Sequence, residues 1–361
     1  MRKLVFITLT LAPYKVKWME ALSTDFDVSI YYTRDIDKER HPEWLVRSSQ
    51  VIHLIKGKDV LSNKGISLNL FKFLWKNRSE IIIFDGYGFM TQFFGLSMCR
   101  LLNIKHYVNV DGGIRVDNEA FLAVLIKRIM ISNQSYYLAS SDYTRTYLMD
   151  YGVEKEHIFI HPFTSLLKKD ILERLVDEKS KRTLKIELNM VDGFQLLCVS
   201  QTIHRKGIDV LLEAMSKLDN VKLTIVGGKC IDEYSKIIEK HQLKNIRFIE
   251  YLDYEQLKKV YQAADLFVLP TRYDVWGLVI NEAMANGLPV VTTNKCGAGL
   301  ALIDPNYLVE PNDYENLAIV IEKIQEDPSL RKKLAMQSIE RIQSYSIENV
   351  AALHRKLFNE N

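Results

Sequence analysis

The sequence predicts an α/β protein built from two parallel-sheet domains in tandem, and three observations carry that expectation. Its 361 residues exceed what one ordinary core accommodates. Short apolar runs bounded by polar or glycine residues alternate with longer stretches of helical spacing in both halves. A charged stretch over residues 167–192 interrupts that rhythm. Strands that alternate with helices imply a parallel sheet covered on both faces, so each half forms its own sheet.

In the first half, residues 4–11, 28–33, 81–84 and 107–110 read as strands, with 138–140 and 158–160 completing the sheet. Helical spacing occupies residues 16–22, 68–75 and 90–102. After the charged stretch the order is strand 194–199, helix 208–218, strand 221–226, helix 231–240 and strand 246–249. Helix 254–264, strand 266–269, helix 278–286 and strand 289–292 follow. The end of the chain, 328–361, reads as helices. The expected boundaries are therefore a first domain over 1–166, a linker over 167–192 and a second domain over 193–345. A last helix over 346–361 would pack back on the first domain.

Composition narrows the class. Hydrophobic residues make up 47% and charged residues 26%, the balance of a soluble globular chain. The cysteines Cys99, Cys198, Cys230 and Cys296 stand far apart and match no metal-ligand spacing, which suits a reducing compartment. The apolar start is short, is interrupted by Thr8 and Thr10 and runs into Pro13, so it reads as a buried strand rather than a leader. No run reaches the roughly 20 apolar residues of a spanning helix, and a cytoplasmic location is expected. Net charge is +3, with the excess of cations in the first half. That asymmetry suits an anionic lipid surface or simple scatter, and no nucleic-acid partner is expected.

Ligands of open parallel sheets bind beyond the carboxyl ends of the strands. Two such places stand out in the second half. In Val199-Ser-Gln-Thr-Ile-His-Arg-Lys-Gly-Ile-Asp, a strand ends, a polar loop delivers Arg205 and Lys206, and Gly207 opens a helix. Cations beside a helix N-terminus make an anion site suited to a diphosphate, although a solvated basic loop has the same composition. In Leu269-Pro-Thr-Arg-Tyr-Asp-Val-Trp-Gly-Leu-Val-Ile-Asn-Glu-Ala-Met-Ala, Gly277 sits where the next helix begins and admits a ligand to backbone amides. Glu282 falls within that helix's apolar stripe, where a carboxylate needs partners. Asp274 is either a ligand group or a plain helix cap, and Glu282 either a ligand group or a structural acceptor.

From Gly193 to Val291 these residues resemble the donor domain of retaining glycosyltransferase family 4, of the GT-B fold. The family hallmark is two glutamates separated by seven residues; here Asp274 and Glu282 stand at those positions in Asp274-Val-Trp-Gly-Leu-Val-Ile-Asn-Glu282-Ala-Met-Ala-Asn-Gly-Leu-Pro-Val-Val. Arg205-Lys206-Gly207, Leu223-Thr-Ile-Val-Gly-Gly and Tyr261-Gln-Ala-Ala-Asp extend the likeness. In the first half, Asp111-Gly-Gly, Ser140-Ser-Asp-Tyr-Thr and His161-Pro-Phe-Thr-Ser resemble bacterial members that build capsule, O-antigen or exopolysaccharide. Three departures are evident: Asp274 is one methylene shorter than glutamate, Gln201 replaces a frequent arginine, and the loop Thr10-Leu-Ala-Pro-Tyr-Lys lacks a glycine pair.

The resemblance implies two Rossmann-like domains facing a central cleft, and transfer of a sugar from a nucleotide-sugar, UDP-sugar favoured and GDP-sugar possible, with retained anomeric configuration. Lys206 and Arg205 would take the charge of the leaving diphosphate, assisted by backbone near Gly277 and Leu278. Glu282 would hold the ribose and Asp274 the donor sugar, with Trp276 and Gln201 also on the donor side. Acceptor-side candidates are Asp111 and Gly112 after one strand, Tyr14 in the first loop and Tyr87 in Gly86-Tyr-Gly. The acceptor implied is a saccharide, lipid-linked, at the inner membrane face. Residues 68–78 and 121–131 interleave apolar residues with cations, as interfacial helices do and as helices packed on a sheet also do. No metal or other cofactor is expected, because Asp25-Phe-Asp27 and Asp35-Ile-Asp37 fall at a strand start and in a charged loop. A silent GT-B scaffold and a GT-B sugar-nucleotide epimerase share the same anion site, and product analysis without acceptor separates the epimerase from a transferase. A dinucleotide oxidoreductase is excluded, since no G-x-G-x-x-G follows an early strand.

Overall fold

The computed structural model describes residues 1–34, 49–57, 68–114, 119–190 and 193–360. It divides into two compact units, one of Met1–Ser165 with Ile347–Asn361, the other of Leu166–Ser346. Asp35 and Asp37 lie outside the described residues.

In chain order the first unit contains β1 (Arg2–Thr8), α1 (Pro13–Leu22), β2 (Phe26–Tyr32), β3 (His53–Lys56), α2 (Leu68–Lys76) and β4 (Ile81–Asp85). There follow α3 (Met90–Leu101), β5 (His106–Val110), α4 (Phe121–Met130), β6 (Tyr136–Ala139), α5 (Asp142–Asp150) and β7 (Ile158–Ile160). The strands form one sheet in the order β3-β2-β1-β4-β5-β6-β7, every pair parallel. Leu4, Val5, Phe6 and Ile7 are fully buried, because a central parallel strand is covered on both faces. β1 stops at Thr8, short of the expected residue 11: Pro13, whose ring presets a helical φ, occupies the first turn of α1. β3 went unread because it is a half-exposed edge strand with no apolar run.

The second unit contains α6 (Glu178–Glu187), β8 (Phe194–Val199), α7 (Ile208–Met215), β9 (Val221–Val226), α8 (Asp232–Lys240), β10 (Ile246–Ile249) and α9 (Tyr254–Ala263). β11 (Leu266–Leu269), α10 (Leu278–Ala285), β12 (Val290–Thr293), α11 (Gly297–Leu302), β13 (Leu308–Val309), α12 (Tyr314–Glu326) and α13 (Pro328–Ile342) complete it. Its sheet runs β10-β9-β8-β11-β12-β13, again wholly parallel. Where the sequence reading placed a linker, the structure has α6, whose Lys181 and Lys185 both bond Asp265 at 2.7 Å. Two of the charges that read as a spacer are thus ion-pair partners of the second unit.

The last helix, α14 (Ile347–Glu360), belongs to the first unit. Val350, Ala351, Leu357 and Phe358 enter the core formed by β1, β2 and α1. Trp18 Nε1 donates to His354 Nδ1 at 2.9 Å, which fixes His354 as the Nε2–H tautomer, and His354 then donates to His161 Nδ1 at 3.1 Å. Burial pushes both imidazoles down, His161 to about 3 and His354 well below the ordinary range, so this chain of rings is neutral.

Candidate functional site

In both sheets the strand order reverses beside the first strand, between β1 and β4 and between β8 and β11. Such a switch point leaves a crevice at the strands' carboxyl ends. In the second unit the loops after β8 and β11 carry the expected anion-binding residues. A short 3-10 turn, His204–Lys206, leads into Gly207, which adopts φ +69° and precedes α7. Lys206 Nζ bonds the Asp274 carboxylate, and Arg205 reaches the same carboxylate at 3.7 Å while donating to the Tyr273 carbonyl at 2.7 Å. Thr271 ties the two loops by donating to the Arg205 carbonyl at 3.0 Å.

Backbone pairing aims Asp274. Its N–H donates to the Lys295 carbonyl at 2.9 Å and its carbonyl accepts from Gly297 N at 3.0 Å, an isolated bridge of strand type. Three residues after Asp274, Gly277, at φ +95°, precedes α10. Neither α7 nor α10 has a side-chain cap on its N-terminal amides; α7 follows the turn that carries the two cations, and α10 follows the loop that carries Asp274. An anion with several oxygens matches this set of donors. Within the protein, Asp274 is the counter-charge of Lys206; one methylene less than glutamate still spans that distance.

Glu282, one turn into α10, is half-buried and accepts a hydrogen bond from the Tyr261 hydroxyl at 3.0 Å. Gln201 is exposed in the loop after β8, and Leu278 is half-buried in the first turn of α10. Trp276 requires correction as a donor contact. Its indole is 2% exposed and donates to Asn281 Oδ1 at 2.9 Å, because so large an apolar ring is held in the core. Sequence reasoning missed Arg272 and Asp209. Arg272 bonds both Asp209 oxygens and the His204 carbonyl, bracing the cationic turn from behind.

The switch point of the first unit gathers a second polar cluster. Lys15 Nζ bonds Asp85, and Thr8 Oγ1 donates to the same carboxylate at 2.6 Å. Asn109 Nδ2 donates to Asp111 at 2.7 Å and more weakly to Asp85 at 3.5 Å. Its Oδ1 is buried without a hydrogen-bond partner among the described residues. Burial, and then repulsion by Asp85, raises the Asp111 carboxyl to about 6. Burial alone would lower Lys15, but Asp85, Tyr14 and Asp111 outweigh it and hold the ammonium well above the ordinary lysine range. Asp85 and Thr8 were missed, although Asp85 directly follows the expected strand 81–84 and the strand-end rule reaches it. Gly112 is half-exposed beside Asp111, and Tyr14 packs edge-on against Phe163 at 5.2 Å. Tyr87 is half-buried against the core, its hydroxyl meeting that of Tyr147 at 3.3 Å.

The Asp25 carboxylate bonds Arg355 at 2.5 Å, and that of Asp27 lies 3.6 Å from His53. Among the described residues one group has ligand atoms close enough for a metal ion, His204, Asp209 and Glu233, within 4.8 Å of one another. Both oxygens of Asp209 are already held by the Arg272 guanidinium.

Residues 180–341 match the family model described as glycosyl transferases group 1. The chain is 33% identical over 158 residues to glycogen synthase of Mycobacterium tuberculosis, covering 42% of this chain and 38% of that one. It is 29% identical over 182 residues to a capsular polysaccharide biosynthesis glycosyltransferase, CapM, of Staphylococcus aureus, covering 48% and 47%. The chain thus matches less than half the length of either relative. Among solved structures, Anabaena Alr3699/HepE in complex with UDP superposes with a TM-score of 0.80 at 15% identity, covering 99% of this chain and 100% of that one. The fold is that of the GT-B class, with two Rossmann-like parallel-sheet domains.

Proposed function

We propose that this chain is a glycosyltransferase that moves a sugar from a nucleotide-sugar to a saccharide acceptor in surface-polysaccharide synthesis. One observation carries the reading. Arg205, Lys206 and the N-termini of two uncapped helices meet at the switch point of the second unit, and the match to glycosyl transferases group 1 spans those residues. A UDP-sugar is the favoured donor. Its diphosphate would compete with Asp274 for Lys206, and displacement would free that carboxylate for sugar hydroxyls. Glu282 would hold the ribose.

The proposed chemistry retains anomeric configuration. The bond from the anomeric carbon to the diphosphate breaks, and the diphosphate leaves with the electron pair. The acceptor oxygen bonds on the same face, and its proton passes to the departing phosphate. Fixed cations and helix N-termini stabilise the leaving charge, and no metal is required in this scheme. In the first unit, Asp111 and Asn109 Oδ1 offer acceptors to a saccharide hydroxyl. A lipid-linked acceptor at the inner face of the membrane is part of the proposal and is supported by the outer face of α4, where Phe121, Leu125 and Ile129 lie exposed one above another.

Thermal unfolding with UDP-, GDP- and ADP-sugars tests the donor assignment. A ligand at about 100 times its dissociation constant adds about 2.7 kcal/mol to the folded state. One nucleotide series is expected to raise the midpoint of the wild type and not that of Glu282→Ala. Absence of protection in all three series would refute the donor site. Transfer to an added saccharide, against epimerised donor without it, separates transferase from epimerase.

A further inference from the structure

We propose that Tyr261 is a positioning residue for nucleoside diphosphate recognition, its hydroxyl holding the Glu282 carboxylate in the orientation that receives the ribose. The inference rests on the reading of Glu282 given above and adds a residue and a selectivity to it. Tyr261 sits in the last turn of α9 and is 2% exposed. Its ring lies 5.9 Å from that of Phe267 on β11, so the phenol is fixed by the core while its oxygen reaches Glu282 Oε2.

A buried hydroxyl needs a partner, and here the partner is a half-buried carboxylate on a flexible stem. A glutamate ordered only when ligand arrives loses its side-chain freedom at that moment, at the expense of affinity. The phenol bond orders it beforehand, which is how preorganisation gains affinity. Burial and the neighbouring Glu282 charge hold the Tyr261 phenol well above its ordinary range, so it stays a donor at any working pH. Fixing one oxygen of the carboxylate also sets the direction of the other. The structure therefore predicts discrimination between ribose and deoxyribose that depends on Tyr261.

The test uses the full chain and whichever of UDP, GDP or ADP binds the wild type, with its 2′-deoxy and 3′-deoxy forms, titrated by calorimetry. The wild type is expected to bind the ribonucleotide about tenfold more tightly than at least one deoxy form, the scale of one hydrogen bond to a charged group. Tyr261→Phe is expected to lose most of that preference while binding the deoxy form as the wild type does. Glu282→Ala should lose the preference as well. Equal weakening of ribo and deoxy forms in Tyr261→Phe, or a preference kept intact, would overturn the positioning role and leave Glu282 standing. No discrimination by the wild type would overturn the ribose assignment of Glu282 and this inference with it. The unfolding midpoint of Tyr261→Phe without ligand checks that the variant is folded.

Discussion

At Gly207 the chain turns with φ +69°, and a Cβ built there would stand 2.0 Å from the Pro270 carbonyl oxygen. Both facts demand glycine: an L side chain resists that backbone conformation, and the oxygen belongs to the backbone of the neighbouring loop. Gly207→Ala is expected to destabilise the protein by about 2 kcal/mol or more and to weaken donor binding, because the loop bearing Lys206 must move. Thermal unfolding and a donor titration check this; an unshifted midpoint would show the loop to be slack. The sequence exposed Gly207, Arg205, Lys206, Asp274 and Glu282 through their position at strand ends. It did not show that Trp276 is internal or that Asp274 is the ion partner of Lys206, since both depend on the bridge between Asp274 and Cys296.

At the scale of elements, α2 and α4 read alike in the sequence and differ in the fold. Leu70 and Leu74 of α2 are buried, as in a helix packed on its sheet. On α4, Met130 alone is buried, and Phe121, Leu122, Leu125, Ile126 and Ile129 are exposed with Arg128. Arg100 joins the ends of α3 and α4 through the Ile129 and Met130 carbonyls, and Leu101 next to it is 85% exposed. An apolar face bordered by cations matches an anionic bilayer. The wild type is expected to float with vesicles containing a third anionic lipid, and Leu125→Glu with Ile129→Glu to remain behind with its unfolding midpoint unchanged. A wild type left in the soluble fraction would remove the membrane from the proposal. α5 was invisible for a different reason: its mostly polar turns are set by the Ser141 cap, which accepts from Thr144 N at 3.2 Å.

At the scale of the molecule, the neutral histidines between β7 and α14 make stability depend on pH. His161 and His354 are unprotonated in the folded state and titrate near 6.5 when unfolded. Their contribution is full above that value and is lost as pH falls from about 6.5 towards 3, because the unfolded chain then binds the extra protons. Asp111, raised to about 6, acts in the opposite sense and offsets one of the two protons near pH 5. Replacing His354 by Gln removes one proton from the balance. Between pH 6.5 and 5 the wild type should lose about 1.6 kcal/mol more than His354→Gln, since the unfolded histidine is only half protonated at the start of that interval. Denaturant unfolding at these two pH values measures it, and parallel losses would show that the ring chain is not the titrating element.

The sequence by itself determined the class of fold, the count of core strands in each sheet to within one, and the loops that carry the candidate anion-binding residues. These follow from local pattern: apolar runs, helical spacing, and glycines and cations at strand ends. Tertiary structure alone decided which loops become neighbours. The order β3-β2-β1-β4 brings Asp85 beside Lys15 and Thr8, residues about seventy apart in the chain, and the order β9-β8-β11 brings Lys206 to Asp274. It also decided that α14 completes the first core and that Tyr261 meets Glu282. Hydrogen bonds, burial and the pKa of Asp111 arise from distances between segments remote in sequence, and a one-dimensional pattern holds no record of those distances.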